Sequence, residues 1–224
     1  MYRIGIIDDN QFEVDDIQTT IFTVWSKSND APNEVDFKHY DLLSTPDFRN
    51  KLLNEILHDI EHANIHSLII DYKLDSLRTV IEGKEIVDFL RDQVPAFPVI
   101  ILTNAPQGSK TEEEIDPDKV YAKRSFFNLN SDSAYDMAFN IYLNIKRYIN
   151  RREELEQNLS QALEELTTKE GADVDVALLS RISKIEEDLS DYTLTGQTAT
   201  ERALDLSELR ELISELHAIE SSDE

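Results

Sequence analysis

Five polar side chains stand at the ends of short apolar runs in this chain. Asp8 and Asp9 follow Tyr2–Ile7, Asp71 closes Ser67–Asp71, Thr103 closes Pro98–Thr103 and Lys123 closes Lys119–Lys123. If these runs are parallel strands of one sheet, their carboxyl ends share an edge, and at that edge open α/β sheets bind their ligands. Three crowded carboxylates repel one another and favour a cation. Oxygen-only ligands suit Mg²⁺, which takes one or two carboxylates and keeps several waters. Beside such a cation, Asp71 is placed to attack a phosphoryl donor as an aspartyl nucleophile. Lys123 then balances charge on the phosphoryl oxygens, and the Thr103 hydroxyl donates to one of them.

The elements that must position these groups follow from periodicity. Ser67–Asp71 is a short apolar run bounded by polar residues, the pattern of a strand buried on both faces. Tyr2–Ile7 reads the same way, and not as a signal peptide, because its apolar run is short and acids follow at once. Val35–Tyr40 alternates and gives a second strand. Gln11 to Lys27 carries Phe12, Ile17, Ile21, Phe22 and Trp25 at helical spacing, with Thr19, Thr20 and Thr23 weakening the propensity. Ser28–Asn33 reads as a loop. Thr45-Pro46-Asp47 opens a helix carrying Phe48, Leu52, Leu53, Ile56, Leu57 and Ile60. Tyr72–Glu82 is polar loop, and a helix opens at Gly83. Asn104–Asp118 is polar, so any helix there is short or replaced by loop. This alternation predicts a flavodoxin-like, doubly wound α/β domain with five parallel strands over residues 1–148.

The last helix of that domain does not stop at its edge. No Gly or Pro occurs between Pro117 and Gly171. Ile141, Ile145, Tyr148, Arg152, Leu155, Leu159, Ala162 and Leu166 form a heptad seam with one Arg in it. A helix over 133–169 would be roughly 55 Å long at 1.5 Å per residue, and Gly171 would end it. Val174–Tyr192 and Glu201–Glu220 read as further helices, joined by a turn at Thr193–Thr200, with Ser221–Glu224 a loose end. Residues 149–224 are therefore expected to be an all-α extension. The seam suggests a homodimer through the 134–169 helix, combined with packing inside the chain.

Composition narrows the function classes. The chain has 224 residues, 40% hydrophobic, no cysteine, and a net charge of −24. Disulfides, thiolate metal sites and Cys nucleophiles are excluded. No apolar run reaches the roughly 18 residues of a bilayer span, so no membrane role is expected. Residues 151–224 hold 7 Lys/Arg against 20 Asp/Glu, a net of −13. Nucleic-acid binding rests on neutralised phosphates, so no nucleic-acid output is expected there. The expected location is cytoplasmic.

The strand-end set resembles the receiver domain of two-component response regulators over about residues 1–148. The matching pieces are IIDDN, LIIDYKLD, GKEIVDFLR, PVIILTNAP and VYAKRSF, in that order. The resemblance implies Asp71 as phosphoacceptor, Thr103 as switch hydroxyl and Lys123 as phosphate-binding lysine. It implies Mg²⁺ held by Asp8, Asp9, Asp71 and the backbone carbonyl of Lys73. It also implies a histidine kinase or phosphotransfer protein as partner, and no enzymatic activity beyond the domain's own phosphoryl transfer and dephosphorylation. The helical tail would then bind a protein partner. The sequence departs from the family in three places. Arg124 follows Lys123 where the family has Pro. The loop from Asp71 to Gly83 is longer and lacks Met-Pro. Val120 occupies the place of the switch aromatic, with Tyr121 one residue later.

Two rival readings accompany this one. In the first, the domain is a degenerate receiver that works as a phosphorylation-independent scaffold. In the second, the chain is a Mg²⁺-dependent phosphohydrolase, and Asp71 and Asp75 are spaced by four where such acids stand two apart. His58 and His62 are an i,i+4 pair read as exposed helix positions.

Overall fold

A computed structural model of the chain describes residues 1–28, 31, 34–42, 47–74, 81–104, 119–168 and 176–194. The chain divides into two compact units. The first is Met1–Asp92 with Ala96–Ile149; the second is Gln93–Pro95 with Asn150–Glu224.

In the first unit the elements are β1 (Tyr2–Ile7), α1 (Gln11–Lys27), β2 (Val35–His39), α2 (Phe48–Glu61), β3 (Ser67–Asp71), α3 (Gly83–Gln93), β4 (Val99–Thr103), β5 (Val120–Ala122) and the single turn α4 (Lys123–Phe126). The long helix α5 (Asp132–Thr168) follows. The five strands form one sheet in the order β2-β1-β3-β4-β5. All pairs are parallel. This is the flavodoxin-like, doubly wound order, in which strand order reverses at β1. Burial of both faces explains the continuous apolar runs: Leu68, Ile69 and Ile70 are fully buried.

On one face, Ile4, Ile6, Ile69, Ile100 and Leu102 pack with Ile17, Ile21 and Trp25 of α1 and with Ala138, Ile141 and Ile145 of α5. The Trp25 indole N–H donates to the Ala138 carbonyl at 2.9 Å, tying α1 to α5. The buried arc of α1 includes Val14 and Val24 but not Phe12 or Phe22, which are exposed. Phe12 and Phe22 fall outside the arc because residues 14, 17, 21, 24 and 25 already share one side at 3.6 residues per turn.

Three strand boundaries are shorter than the pattern implies. β2 stops at His39, and β4 begins after Pro98, whose carbonyl accepts from the Leu68 N–H and the Ser67 hydroxyl. β5 stops at Ala122 because Lys123 enters the turn α4, where the Phe127 N–H bonds the Lys123 carbonyl.

In the second unit, α5 continues through residue 168 and is followed by α6 (Val176–Ser190). Leu155, Leu159 and Ala162 pack against Leu178, Ile182 and Leu189. Ion pairs Arg151–Asp188 and Arg181–Glu165, at 3.8 and 3.6 Å, link the two helices. Both are exposed and add little. None of the eight seam residues is exposed. Ile141, Ile145 and Tyr148 belong to the first unit's interior, and the positions after Arg152 pack on α6. These contacts supply the packing inside the chain that the seam leads one to expect.

The expected opening at Thr45-Pro46, the residues around Gly171, the turn after Leu194, the helix Glu201–Glu220, Asp75 and most of Asn104–Asp118 lie outside the described residues. Among the described residues, no helix is long and apolar enough to cross a membrane.

Candidate functional site

The sheet register decides which side chains meet. Ile7 pairs with Ile70, so Asp8 follows β1 at the level of Asp71 on β3. Asp71 pairs with Leu102, placing Thr103 one step further along β4. Thr103 pairs with Ala122, so Lys123 comes one step beyond it. Asp8, Asp71, Thr103 and Lys123 thus line one edge of the sheet at the carboxyl ends of neighbouring strands. Asp8, Thr103 and Lys123 are each about 1% exposed.

Lys123 is the centre of the arrangement. Its ammonium donates to Asp8 Oδ2 at 2.8 Å and to Asp71 Oδ2 at 2.8 Å. It also donates to Glu13 Oε2. Its stem is held because the residue leaves β5 directly into the buried turn closed by Phe126. Burial works against the Lys123 charge, but the hydrogen bonds to Asp71, Asp8 and Glu13 outweigh it and hold the group above its ordinary range. Burial pushes the Asp8 carboxyl up to about 6, against the pull of Lys123 and of the Asn10 N–H. Burial raises Asp71 as well, opposed by Lys123 and by the Lys73 N–H. Both acids are thus less willing to ionise than free carboxyls, because burial outweighs the pull of the shared ammonium.

The loop after β1 sorts its acids. Asp8 Oδ1 accepts from the Asn10 N–H at 2.9 Å. Asn10 caps α1, its side chain accepting from the Phe12 N–H at 3.1 Å. That turn directs Asp8 inward and leaves Asp9 exposed. The carboxylates gathered within 4.8 Å of one another are Asp8, Glu13 and Asp71. Asp9 is not among them, and Glu13, from the first turn of α1, is. Sequence reasoning missed Glu13. Its signal was present: an acid three residues after the cap Asn10 lies on the first helical turn, next to the strand ends. Lys73 is exposed, and its N–H donates to Asp71 Oδ1 at 3.2 Å, closing the turn after the strand.

The donor set fits a hard divalent cation. Asp8, Glu13 and Asp71 offer only oxygen, and their charges exceed that of Lys123 by two when all are ionised. Tyr121 does not face this edge. It belongs to the core between α1 and α5, with Val120 also buried.

No family model matches the chain, and no curated protein matches it. Among solved structures, the chain is similar to the RcsB response regulator of Salmonella typhimurium, described in connection with DNA interaction. The identity is 11% and the TM-score 0.41, over 84% of this chain and 91% of that one. A likeness of that size decides nothing about function.

Proposed function

We propose that the chain is a phosphorylation-responsive signalling protein whose first unit accepts a phosphoryl group on Asp71. One observation carries this reading. A buried lysine following the last strand donates to the strand-end aspartate and to the aspartate after β1, at 2.8 Å each. In the step itself, an Asp71 carboxylate oxygen attacks the phosphorus of the donor. The P–O bond to Asp71 forms, and the donor leaves with the electron pair of the bond that breaks. Lys123 turns an N–H to a phosphoryl oxygen, and the Thr103 hydroxyl, on the neighbouring strand, donates to another. Mg²⁺ would be held by Asp8 and Asp71, with Asp9 and the Lys73 carbonyl as further oxygen donors in the loops after β1 and β3. When bound, it neutralises charge on the transferring group.

The donor in this reading is a histidine kinase or a phosphotransfer protein. The helical unit serves as a protein-binding module. Its acidity disfavours nucleic acid as the output. The chain is not read as an enzyme on other substrates.

The test is uptake of a phosphoryl group or its analogue. Full-length chain with Mg²⁺ is mixed with acetyl phosphate or beryllofluoride, and occupancy is measured by mass spectrometry and calorimetry. One equivalent per chain is expected, lost in Asp71→Asn. No uptake, or uptake unchanged in Asp71→Asn, overturns the proposal.

The scaffold reading draws on a different observation: Tyr121 is packed in the core with α1 and α5. Partner binding that is lost on removing the helical unit and indifferent to Asp71→Asn would favour it.

A further inference from the structure

An ammonium has three N–H bonds to give. In Lys123 all three are given: to Asp8, to Asp71 and to Glu13. None remains for a phosphoryl oxygen. Under the reading of Asp71 as phosphoacceptor, on which this inference rests, one acceptor must therefore let go. The three are not equivalent. Asp8 is wholly buried and also holds the Asn10 N–H. Asp71 is the group that becomes the acyl phosphate, and its remaining oxygen no longer carries a charge. Glu13 is the acceptor at the solvent edge, its side chain 25% exposed against 11% for Asp71. A carboxylate there regains water when it turns away, so its release costs least.

We propose that Glu13 is a displaceable counter-ion that competes with the phosphoryl group for Lys123. In the unmodified chain it completes the coordination of the ammonium. On modification it must swing outward, and its pull back toward Lys123 weakens hold on the phosphoryl group. Glu13 is thus a positioning residue. It acts through Lys123 and sets how tightly, and for how long, the modified state is held. Its site on the first turn of α1 also makes α1 the element that registers the change, because losing the Lys123 contact alters where that turn is tethered.

Calorimetric titration of the full chain with beryllofluoride at saturating Mg²⁺ tests this, with wild type, Glu13→Gln and Glu13→Asp measured side by side. Glu13→Gln keeps the shape and removes the charge. It is expected to bind beryllofluoride about three- to fivefold more tightly than wild type, the size a partly exposed charged pair supplies. Glu13→Asp keeps the charge with a shorter reach and should fall between the two. It also serves if the Gln variant fails to fold. Equal affinities in all three chains leave the phosphoacceptor reading standing and overturn this inference. Weaker binding in Glu13→Gln, together with weaker Mg²⁺ binding measured without beryllofluoride, makes Glu13 a cation ligand and also overturns it. Failure of all three chains to bind takes down the phosphoacceptor reading, and this inference with it.

Discussion

Gly83, the first residue of α3, lies directly against the backbone of Asp71. A methyl group on Gly83 would overlap the Asp71 carbonyl oxygen and approach Tyr72 Cα at 3.0 Å. These are backbone atoms, so no side-chain rotation can relieve the clash. The α3 helix therefore packs on the strand end that presents the candidate phosphoacceptor, and glycine permits that approach.

Replacing Gly83 with Ala should consequently move Asp71. We expect a loss of about 1–3 kcal/mol in chemical denaturation, the usual range for overpacking. Beryllofluoride uptake should weaken as well, since Lys123 and Asp71 meet at a 2.8 Å contact that a shift of the strand end lengthens. Unchanged stability and uptake would show that α3 can withdraw without disturbing the strand.

Lys123→Met tests whether the ammonium holds the acid cluster together. Without it, Asp8, Glu13 and Asp71 face one another with no counter-charge. Breaking a buried pair by removing one partner costs about 3–5 kcal/mol, because the other charge is left uncompensated. The loss should be seen near neutral pH and should shrink as the pH falls, because the buried Asp8 carboxyl, no longer held down by Lys123, takes up a proton more readily than in the wild type. Mg²⁺ should also restore part of it. A variant as stable as wild type at neutral pH would mean that the carboxylates are not ionised together.

The sheet and the strand-end groups were legible because buried parallel strands write continuous apolar runs with a polar residue at the end. Asp8, Asp71, Thr103 and Lys123 could therefore be placed from sequence. Glu13 was not, because it comes from a helix, and its orientation depends on the Asn10 cap and on the turn at Asp8. The inward turn of Asp8 and outward turn of Asp9 rest on the same loop geometry. The Phe12 and Phe22 positions show a related limit. Aromatic residues were counted into the α1 stripe, yet Val14 and Val24 fill the buried arc. The seam of α5 was legible as a pattern but not in its partner. A heptad face states that something covers it, and here the cover is the first unit's interior and then α6.

Ala63 carries a positive φ of 52° just after α2. Its N–H bonds the Ile60 carbonyl, and the next N–H, of Asn64, bonds the Asp59 carbonyl at 2.8 Å. That pair of bonds is the Schellman ending, whose left-handed residue is usually glycine. Ala63→Gly should thus stabilise the chain, by about 0.5–1 kcal/mol, since relief of the left-handed strain outweighs the added freedom of the unfolded chain. Beryllofluoride affinity should not change. Lower stability would mean that the turn is held by other contacts, such as the Asn64 side chain on Asp59 at 3.2 Å.

The Asp8 carboxyl ties cation binding to pH. Its value is about 6 in the folded chain, against the 3.8 of an ordinary aspartate in water. Between these values the folded chain keeps a proton that the unfolded chain has released. Without a cation, this group therefore makes the chain less stable as the pH rises through that window. A divalent cation needs the ionised carboxylate, so it binds well above about pH 6 and competes with the proton below it. The rise in Tm produced by Mg²⁺ should be largest on the alkaline side and should fade as the pH falls through that value. Differential scanning fluorimetry from about pH 5 to 8, with and without Mg²⁺, measures it across the range where linkage acts. Asp8→Asn should abolish the Mg²⁺ effect at every pH. A rise in Tm that is independent of pH, or one that survives in Asp8→Asn, would place the cation elsewhere than between Asp8 and Asp71.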